Sequence, residues 1–130
     1  MLVEDEPSLR TLLGLAIEKA GYEVCLCEDG LDALEKYDEF KPDLVVTDLL
    51  MPRLNGFELI EKIREKYGPK IQILVLSNLD NLNDRQKAMA LGTAGFLIKS
   101  DSPLSVIKSK IILLLDRDMS IDTDNISDII

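Results

Sequence analysis

Charged and hydroxyl side chains stand directly after four short apolar runs of this 130-residue chain. The runs are followed in turn by Glu4-Asp5-Glu6, Asp48, Ser77-Asn78 and Lys99. Clustered carboxylates repel one another unless a cation neutralises them, and oxygen ligands such as Asp5 and Asp48 suit a hard ion such as Mg²⁺. Asp48 could then attack a phosphoryl donor as a nucleophile, while Lys99 and the Ser77 hydroxyl hold the phosphoryl oxygens. These residue types predict formation of an aspartyl phosphate.

This chemistry requires the four runs to end at one place, and the periodicity of the chain predicts a fold that does so. Strands are predicted over residues 1–4, 23–27, 44–47, 71–76 and 96–98. Helices are predicted over residues 7–20, 31–40, 56–67 and 83–91 and after Pro103. Strands that alternate with helices need crossover connections, which predicts a doubly wound α/β fold with a parallel sheet. Ligands of such sheets bind beyond the carboxyl ends of the strands, where the charged residues stand.

Composition excludes several other classes of protein. The chain has 15 Lys and Arg against 24 Asp and Glu, a formal net charge of −9, which argues against direct binding of nucleic acid. Its longest aliphatic run covers residues 111–115, far short of the roughly 20 residues that a membrane span needs. No basic signal region opens the chain, so a cytoplasmic location is expected. Cys25 and Cys27 are predicted to be reduced core thiols.

Each candidate site residue also has a simpler interpretation. Asp48 and Ser77 could be helix caps or turn residues, and Lys99 could be a surface lysine at the end of a strand. The acidic residues 4–6 before Pro7 could be the first turn of a helix, where the helix dipole favours negative charge. The functional interpretation is favoured because all of these residues are predicted at the same edge of the sheet.

Motifs in a fixed order extend this pattern over residues 1 to about 115. They are Val3-Glu4-Asp5-Glu6-Pro7, Gly21-Tyr22-Glu23-Val24, Asp29-Gly30-Leu31-Asp32-Ala33-Leu34, Pro42-Asp43-Leu44-Val45-Val46-Thr47-Asp48-Leu49-Leu50-Met51-Pro52-Arg53-Leu54-Asn55-Gly56, Ser77, and Ala94-Gly95-Phe96-Leu97-Ile98-Lys99. In this order they resemble the receiver domain of bacterial response regulators. The segment around Asp48, with Met51-Pro52 and Gly56 at fixed offsets, is the most specific part of the resemblance.

The resemblance implies a flavodoxin-like fold of five strand-helix units with strand order 2-1-3-4-5, and a role for each matched residue. Asp48 would be the phospho-acceptor, Asp5 a direct Mg²⁺ ligand and Glu4 either a second acidic ligand or a residue that holds a metal-bound water. The backbone carbonyl of Leu50 would complete the protein's share of the metal shell. Mn²⁺ could substitute for Mg²⁺.

Further implied roles concern the phosphoryl group and its lifetime. Ser77 and Lys99 would contact the phosphoryl group, and Phe96 would occupy the aromatic switch position. Leu50 and Leu79, two residues after the acceptor and two after the hydroxyl residue, would flank the approach of water. Both are apolar and cannot orient a water molecule, so a long-lived phosphorylated form is expected. The alternative is that Asn78, Asp80 or Asn81, in the loop after Ser77, supplies the attacking water instead.

The resemblance also implies domain bounds and partners. We expect a receiver domain over residues 1–118 and, where helical periodicity is lost, an acidic tail or the start of a linker over residues 119–130. A sensor histidine kinase or a phosphotransfer protein would donate the phosphoryl group, and an effector domain or protein would receive the signal. The face formed by the fourth helix, fifth strand and fifth helix would be the output surface, and a homodimer through that face is one option. The domain would catalyse at most its own phosphorylation and dephosphorylation.

Four departures from the family pattern accompany the resemblance. Glu4 stands where Asp is common, Phe96 lacks the hydroxyl of the commoner tyrosine, and the first strand is short, which suggests that residues before Met1 are missing. Ser100 follows Lys99 where the family usually has proline, which favours a trans bond and a more mobile loop.

Two alternative functions remain open. A haloacid-dehalogenase-like phosphatase would share the aspartyl nucleophile and Mg²⁺, but it would carry a second Asp where this chain has Leu50. A degenerate receiver would act as a binding module without phosphate. It would lack Asp48, Asp5 or Lys99, all of which are present.

Overall fold

Five parallel strands form one sheet in the computed structural model, which describes residues 1–79 and 81–127 and, of their side chains, those up to residue 116. The strands are β1 (Leu2–Val3), β2 (Leu26–Cys27), β3 (Leu44–Thr47), β4 (Gln72–Ser77) and β5 (Gly95–Ile98). Their order across the sheet is β2-β1-β3-β4-β5, and every neighbouring pair is parallel. The predicted fold class and strand order are confirmed.

A helix follows each strand. The helices are α1 (Pro7–Lys19), α2 (Gly30–Phe40), α3 (Gly56–Tyr67), α4 (Leu82–Ala90) and α5 (Leu104–Ser127), and a short 3₁₀ turn covers Lys99–Asp101. Local sequence explains several of the helix ends. Pro7 occupies the first turn of α1, where its missing N–H costs nothing. Asn55 and Glu58 form a capping box at the start of α3, and Gly21 follows α1 with a φ of 99°.

The helices cover both faces of the sheet. Alternate residues of β4 point to opposite faces, so Ile73 and Val75 belong to one buried cluster and Leu74 and Leu76 to the other. The first cluster contains buried residues of α2, α3 and α4, and the second those of α1 and α5. This two-sided burial explains why β4 is apolar over nearly its whole length rather than alternating.

The structure differs most from the sequence-based expectation in two places. Strand β2 spans only Leu26–Cys27, whereas the apolar pattern predicts a strand over 23–27. Helix α5 continues to Ser127, beyond residue 118 where the helical pattern was expected to stop. Whether residues 119–130 are a tail or the start of a linker stays a prediction, and residues 128–130 lie outside the described part of the chain.

Candidate functional site

Three charged side chains from three strands meet at the carboxyl edge of the sheet. Glu4 follows β1, Asp48 follows β3 and Lys99 follows β5. The Lys99 Nζ lies 2.6 Å from Asp48 Oδ2 and 2.6 Å from Glu4 Oε1. Glu4 is 1% exposed and Asp48 6% exposed, so the ammonium joins two carboxylates that are almost withdrawn from solvent. Such buried charges persist only when they are paired, as they are here.

The backbone after β3 fixes the orientation of the Asp48 carboxylate. Its Oδ1 accepts hydrogen bonds from the amides of Leu49, at 2.6 Å, and Leu50, at 3.2 Å. The amide of Gly56 donates to the Leu49 carbonyl at 3.0 Å, which closes the loop between β3 and α3. A Cβ on residue 56 would lie 2.0 Å from the carbonyl oxygen of Asp48, so this close approach admits only glycine.

The acidic residues fit a divalent cation. Glu4, Asp5 and Asp48 each offer one carboxylate oxygen, and the three oxygens lie within 4.8 Å of one another. Asp5 is exposed whereas the other two are buried, which gives the cluster one side open to water. Because Mg²⁺ prefers oxygen ligands and retains several waters, this donor set suits it. Leu50, whose backbone carbonyl is the remaining expected ligand, has a side chain that is 57% exposed.

The charges of the site influence one another. Burial raises the pKa of Glu4, although the hydrogen bond from Lys99 acts in the opposite direction. Burial acts to lower the pKa of Lys99, but its hydrogen bonds and attraction to Asp48 and Glu4 outweigh this effect and raise that pKa. The ammonium therefore stays protonated near neutral pH. With two carboxylates against one ammonium, the buried triad favours a further cation when both acids are ionised.

The remaining predicted site residues lie on β4, β5 and the loop after β4. Ser77 is fully buried, and its Oγ accepts a hydrogen bond from the Leu79 amide at 3.3 Å. Leu79 is half-buried. Phe96 is also half-buried and packs against the cluster under α2, α3 and α4, and the guanidinium carbon of Arg85 lies 5.1 Å from the centre of its ring. Of the two residues expected to contact the phosphoryl group, Lys99 already contacts Asp48. Ser77 instead hydrogen-bonds within its own loop.

Two polar contacts beside the site were not predicted from the sequence. Arg53, at a φ of 66°, donates from Nε and Nη2 to Asp29 at 2.5 and 2.9 Å, and this pairing lowers the pKa of Asp29. The Ser100 amide donates to Asn78 Oδ1 at 2.9 Å. The types of these four residues do not by themselves predict which of them form hydrogen bonds with each other. By contrast, the Asn-x-x-Glu spacing that starts at Asn55 is a recognisable capping signal.

Comparison with known proteins agrees with the geometry. Residues 1–110 match the family described as the response regulator receiver domain. The Regulator of RpoS from Escherichia coli K12 is 37% identical over 115 residues, which cover 88% of this chain and 34% of that protein. The Chemotaxis protein CheY from Thermotoga maritima is 36% identical over 110 residues, which cover 84% of this chain and 91% of that protein. The solved structure of Vibrio cholerae chemotaxis protein CheY4 is 27% identical, has a TM-score of 0.79 and covers 87% of this chain and 94% of its own.

The chain belongs to the response regulator receiver domain family, whose members are signalling domains of two-component systems rather than classical enzymes. It spans about a third of the length of the Regulator of RpoS and most of the length of the Thermotoga CheY. Within residues 1–79 and 81–127, none of the helices combines the length and the apolar character needed to cross a bilayer.

Proposed function

We propose that Asp48 accepts a phosphoryl group in a Mg²⁺-dependent reaction and that Glu4, Asp5, Asp48 and the Leu50 carbonyl hold the metal ion. The observation that carries this proposal is the convergence of three carboxylate oxygens within 4.8 Å of one another, with the Lys99 ammonium 2.6 Å from two of the acids. Bound Mg²⁺, or Mn²⁺ in its place, would supply positive charge between the carboxylates and the phosphoryl oxygens.

The residues of the chain have distinct roles in this reaction. A carboxylate oxygen of Asp48 attacks phosphorus and forms a P–O bond. At the same time the P–N bond of a phosphohistidine, or the P–O bond of acetyl phosphate, breaks, and its electron pair goes to the departing nitrogen or oxygen. Lys99 exchanges its contact with Asp48 for one with a phosphoryl oxygen, and the Ser77 hydroxyl binds a second one. The two amides at Asp48 Oδ1 hold the acceptor in a single orientation throughout.

The phosphorylated state would be transmitted by Ser77 and Phe96. The phosphoryl group carries about 1.5 to 2 negative charges in place of the single charge of the carboxylate, and Ser77 moves towards it from its present contact with the Leu79 amide. Phe96 then turns into the vacated space and changes the surface of α4, β5 and α5. That surface would contact an effector domain or protein, or a second copy of the chain, while a histidine kinase or phosphotransfer protein in the cytoplasm donates the phosphoryl group.

Mass spectrometry after incubation with acetyl phosphate and Mg²⁺ tests the proposal. The wild type should gain one phosphoryl group, and Asp48→Asn should gain none while retaining its circular-dichroism spectrum. Chelation of the metal should prevent the gain in the wild type. A phosphoryl group on a serine, or on the Asp48→Asn variant, would refute the assignment.

The same assay separates the alternatives. Continuous turnover of a phosphate ester would indicate a phosphatase, whose general acid would have to come from a position other than Leu50. Failure of the wild type to gain any phosphoryl group would indicate a binding module that works without phosphate. The phosphatase is disfavoured because Leu50 stands where its second Asp would be. The binding module is disfavoured because the acceptor, the acidic residues and the lysine are all present and adjacent.

A further inference from the structure

We infer that Asn78 is a positioning residue for Lys99, an inference that rests on the proposed function. Asn78 follows Ser77, the last residue of β4, and Ser100 follows Lys99 in the 3₁₀ turn after β5. The Ser100 amide donates a hydrogen bond to Asn78 Oδ1 at 2.9 Å. Each partner is thus the immediate neighbour of a residue proposed to contact the phosphoryl group.

The contact lies just beyond the end of the backbone ladder between two strands. Ser77 pairs with Ile98 as the last register pair of β4 and β5. The next residues along the chain are Asn78 and Lys99. Beyond this point the Asn78 side chain, rather than a backbone carbonyl, accepts the hydrogen bond from the Ser100 amide. The hydrogen bond therefore ties the two strand ends together at the point where backbone pairing stops.

The backbone of Lys99 is consequently held on both sides. On one side Ile98 is paired in the sheet, and on the other the Ser100 amide is bound to Asn78. The Ser102 amide donates to the Lys99 carbonyl at 3.3 Å and closes the 3₁₀ turn. This anchoring matters because the Lys99 side chain, 14% exposed, must present its ammonium, which now lies between Glu4 and Asp48, to the incoming phosphoryl oxygen. Small errors in the position of a charged group are costly in phosphoryl transfer.

The residue at position 100 makes this arrangement available. Proline, which receiver domains usually carry after the lysine, has no backbone N–H to donate. Ser100 supplies that N–H, and within the described residues no peptide bond is cis, so the Lys99–Ser100 bond is trans. Asn78 and Ser100 therefore form a pair in which the Asn78 side chain accepts from a backbone N–H that proline at position 100 would lack.

Four variants of the 130-residue chain test the inference, with acetyl phosphate as donor and Mg²⁺ at saturation. Asn78→Ala removes the acceptor and Ser100→Pro removes the donor, and each should slow phosphorylation of Asp48 about two- to tenfold, as expected for one hydrogen bond. The double variant should be no slower than the slower single variant, because both substitutions break the same contact. Ser100→Ala keeps the amide and is the matched control, so it should react at the wild-type rate.

Two further measurements separate positioning from general damage. The affinity for Mg²⁺, measured by calorimetry, should be unchanged in Asn78→Ala, because Asn78 contacts none of the three acids in the described hydrogen bonds. NMR relaxation of the backbone amides of Lys99 and Ser100 should show increased motion in that variant. Multiplicative losses in the double variant, a slow Ser100→Ala, a parallel fall in Mg²⁺ affinity or unchanged relaxation would each overturn the inference. If the wild type gained no phosphoryl group, the proposed function would fail, whereas relaxation would still decide whether Asn78 holds Lys99.

Discussion

Replacing Arg64 with alanine should destabilise the fold, because this side chain fastens three segments together. From α3, its Nε donates to the Leu91 carbonyl at 2.9 Å and its Nη2 to the Gly92 carbonyl at 2.9 Å, both at the end of α4. Its Nη1 donates to the Ile71 carbonyl at 2.7 Å, just before β4, and to the Gly68 carbonyl at 3.4 Å. One guanidinium therefore joins the ends of α3 and α4 to the start of β4.

The contacts set the size of the expected effect. Arg64→Ala removes three hydrogen bonds of ordinary length, each worth about 0.5–1.5 kcal/mol net. Water can reach the released carbonyls at this partly exposed position, so the lower part of the range applies. The free energy of unfolding should fall by about 2–3 kcal/mol. Arg64→Lys should recover only part of it, because a single ammonium cannot reproduce the planar fork of donors.

Urea denaturation followed by circular dichroism measures this loss. Lys62→Ala, at an exposed position of the same helix, is the control and should change stability by no more than about 0.5 kcal/mol. A loss for Arg64→Ala no larger than for the control would refute this reasoning. Full recovery in Arg64→Lys would show that charge, rather than the geometry of the fork, is what matters.

Three further predictions concern the proposed switch and the core. Leu50→Asn combined with Leu79→Glu should shorten the lifetime of the phosphorylated form severalfold, measured as phosphate release, whereas an unchanged rate would show that these leucines do not gate water. Ser77→Ala should still be phosphorylated but should weaken the NMR shift changes around Phe96, and identical shifts in the two proteins would contradict the coupling. Burial raises the pKa of Cys27 to about 12, so its thiol should stay neutral and resist alkylation at pH 8. Rapid modification of the native protein there would mean that β2 opens readily.

The strongest local patterns in the sequence already determined much of the fold. Strand β3 at 44–47 and helix α3 at 56–67 have the predicted bounds. Both have uninterrupted apolar periodicity, and Gly56 and Gly68-Pro69 mark the two ends of the helix. The meeting of Glu4, Asp48 and Lys99 at one edge was equally predictable, because a parallel sheet brings the carboxyl ends of its strands together.

The extent of β2 depended on its neighbours. The apolar pattern over residues 23–27 fits a strand of five residues, yet only Leu26 and Cys27 pair with β1. An edge strand has a single partner, so the length of that partner limits its own. Because β1 offers only Leu2 and Val3, the pattern alone could not set the bounds of β2.

The contacts of the site were decided only by the tertiary structure. The sequence indicates that Asp48 and Lys99 lie at one edge, but they are 51 residues apart and their 2.6 Å contact depends on the register of β3, β4 and β5. The same holds for Asn78 and Ser100, which meet because the loops after β4 and β5 leave the sheet side by side. Periodicity specifies which face or end a residue occupies. Packing and loop backbones set the distances between side chains to within a few tenths of an ångström. No short stretch of sequence encodes them by itself.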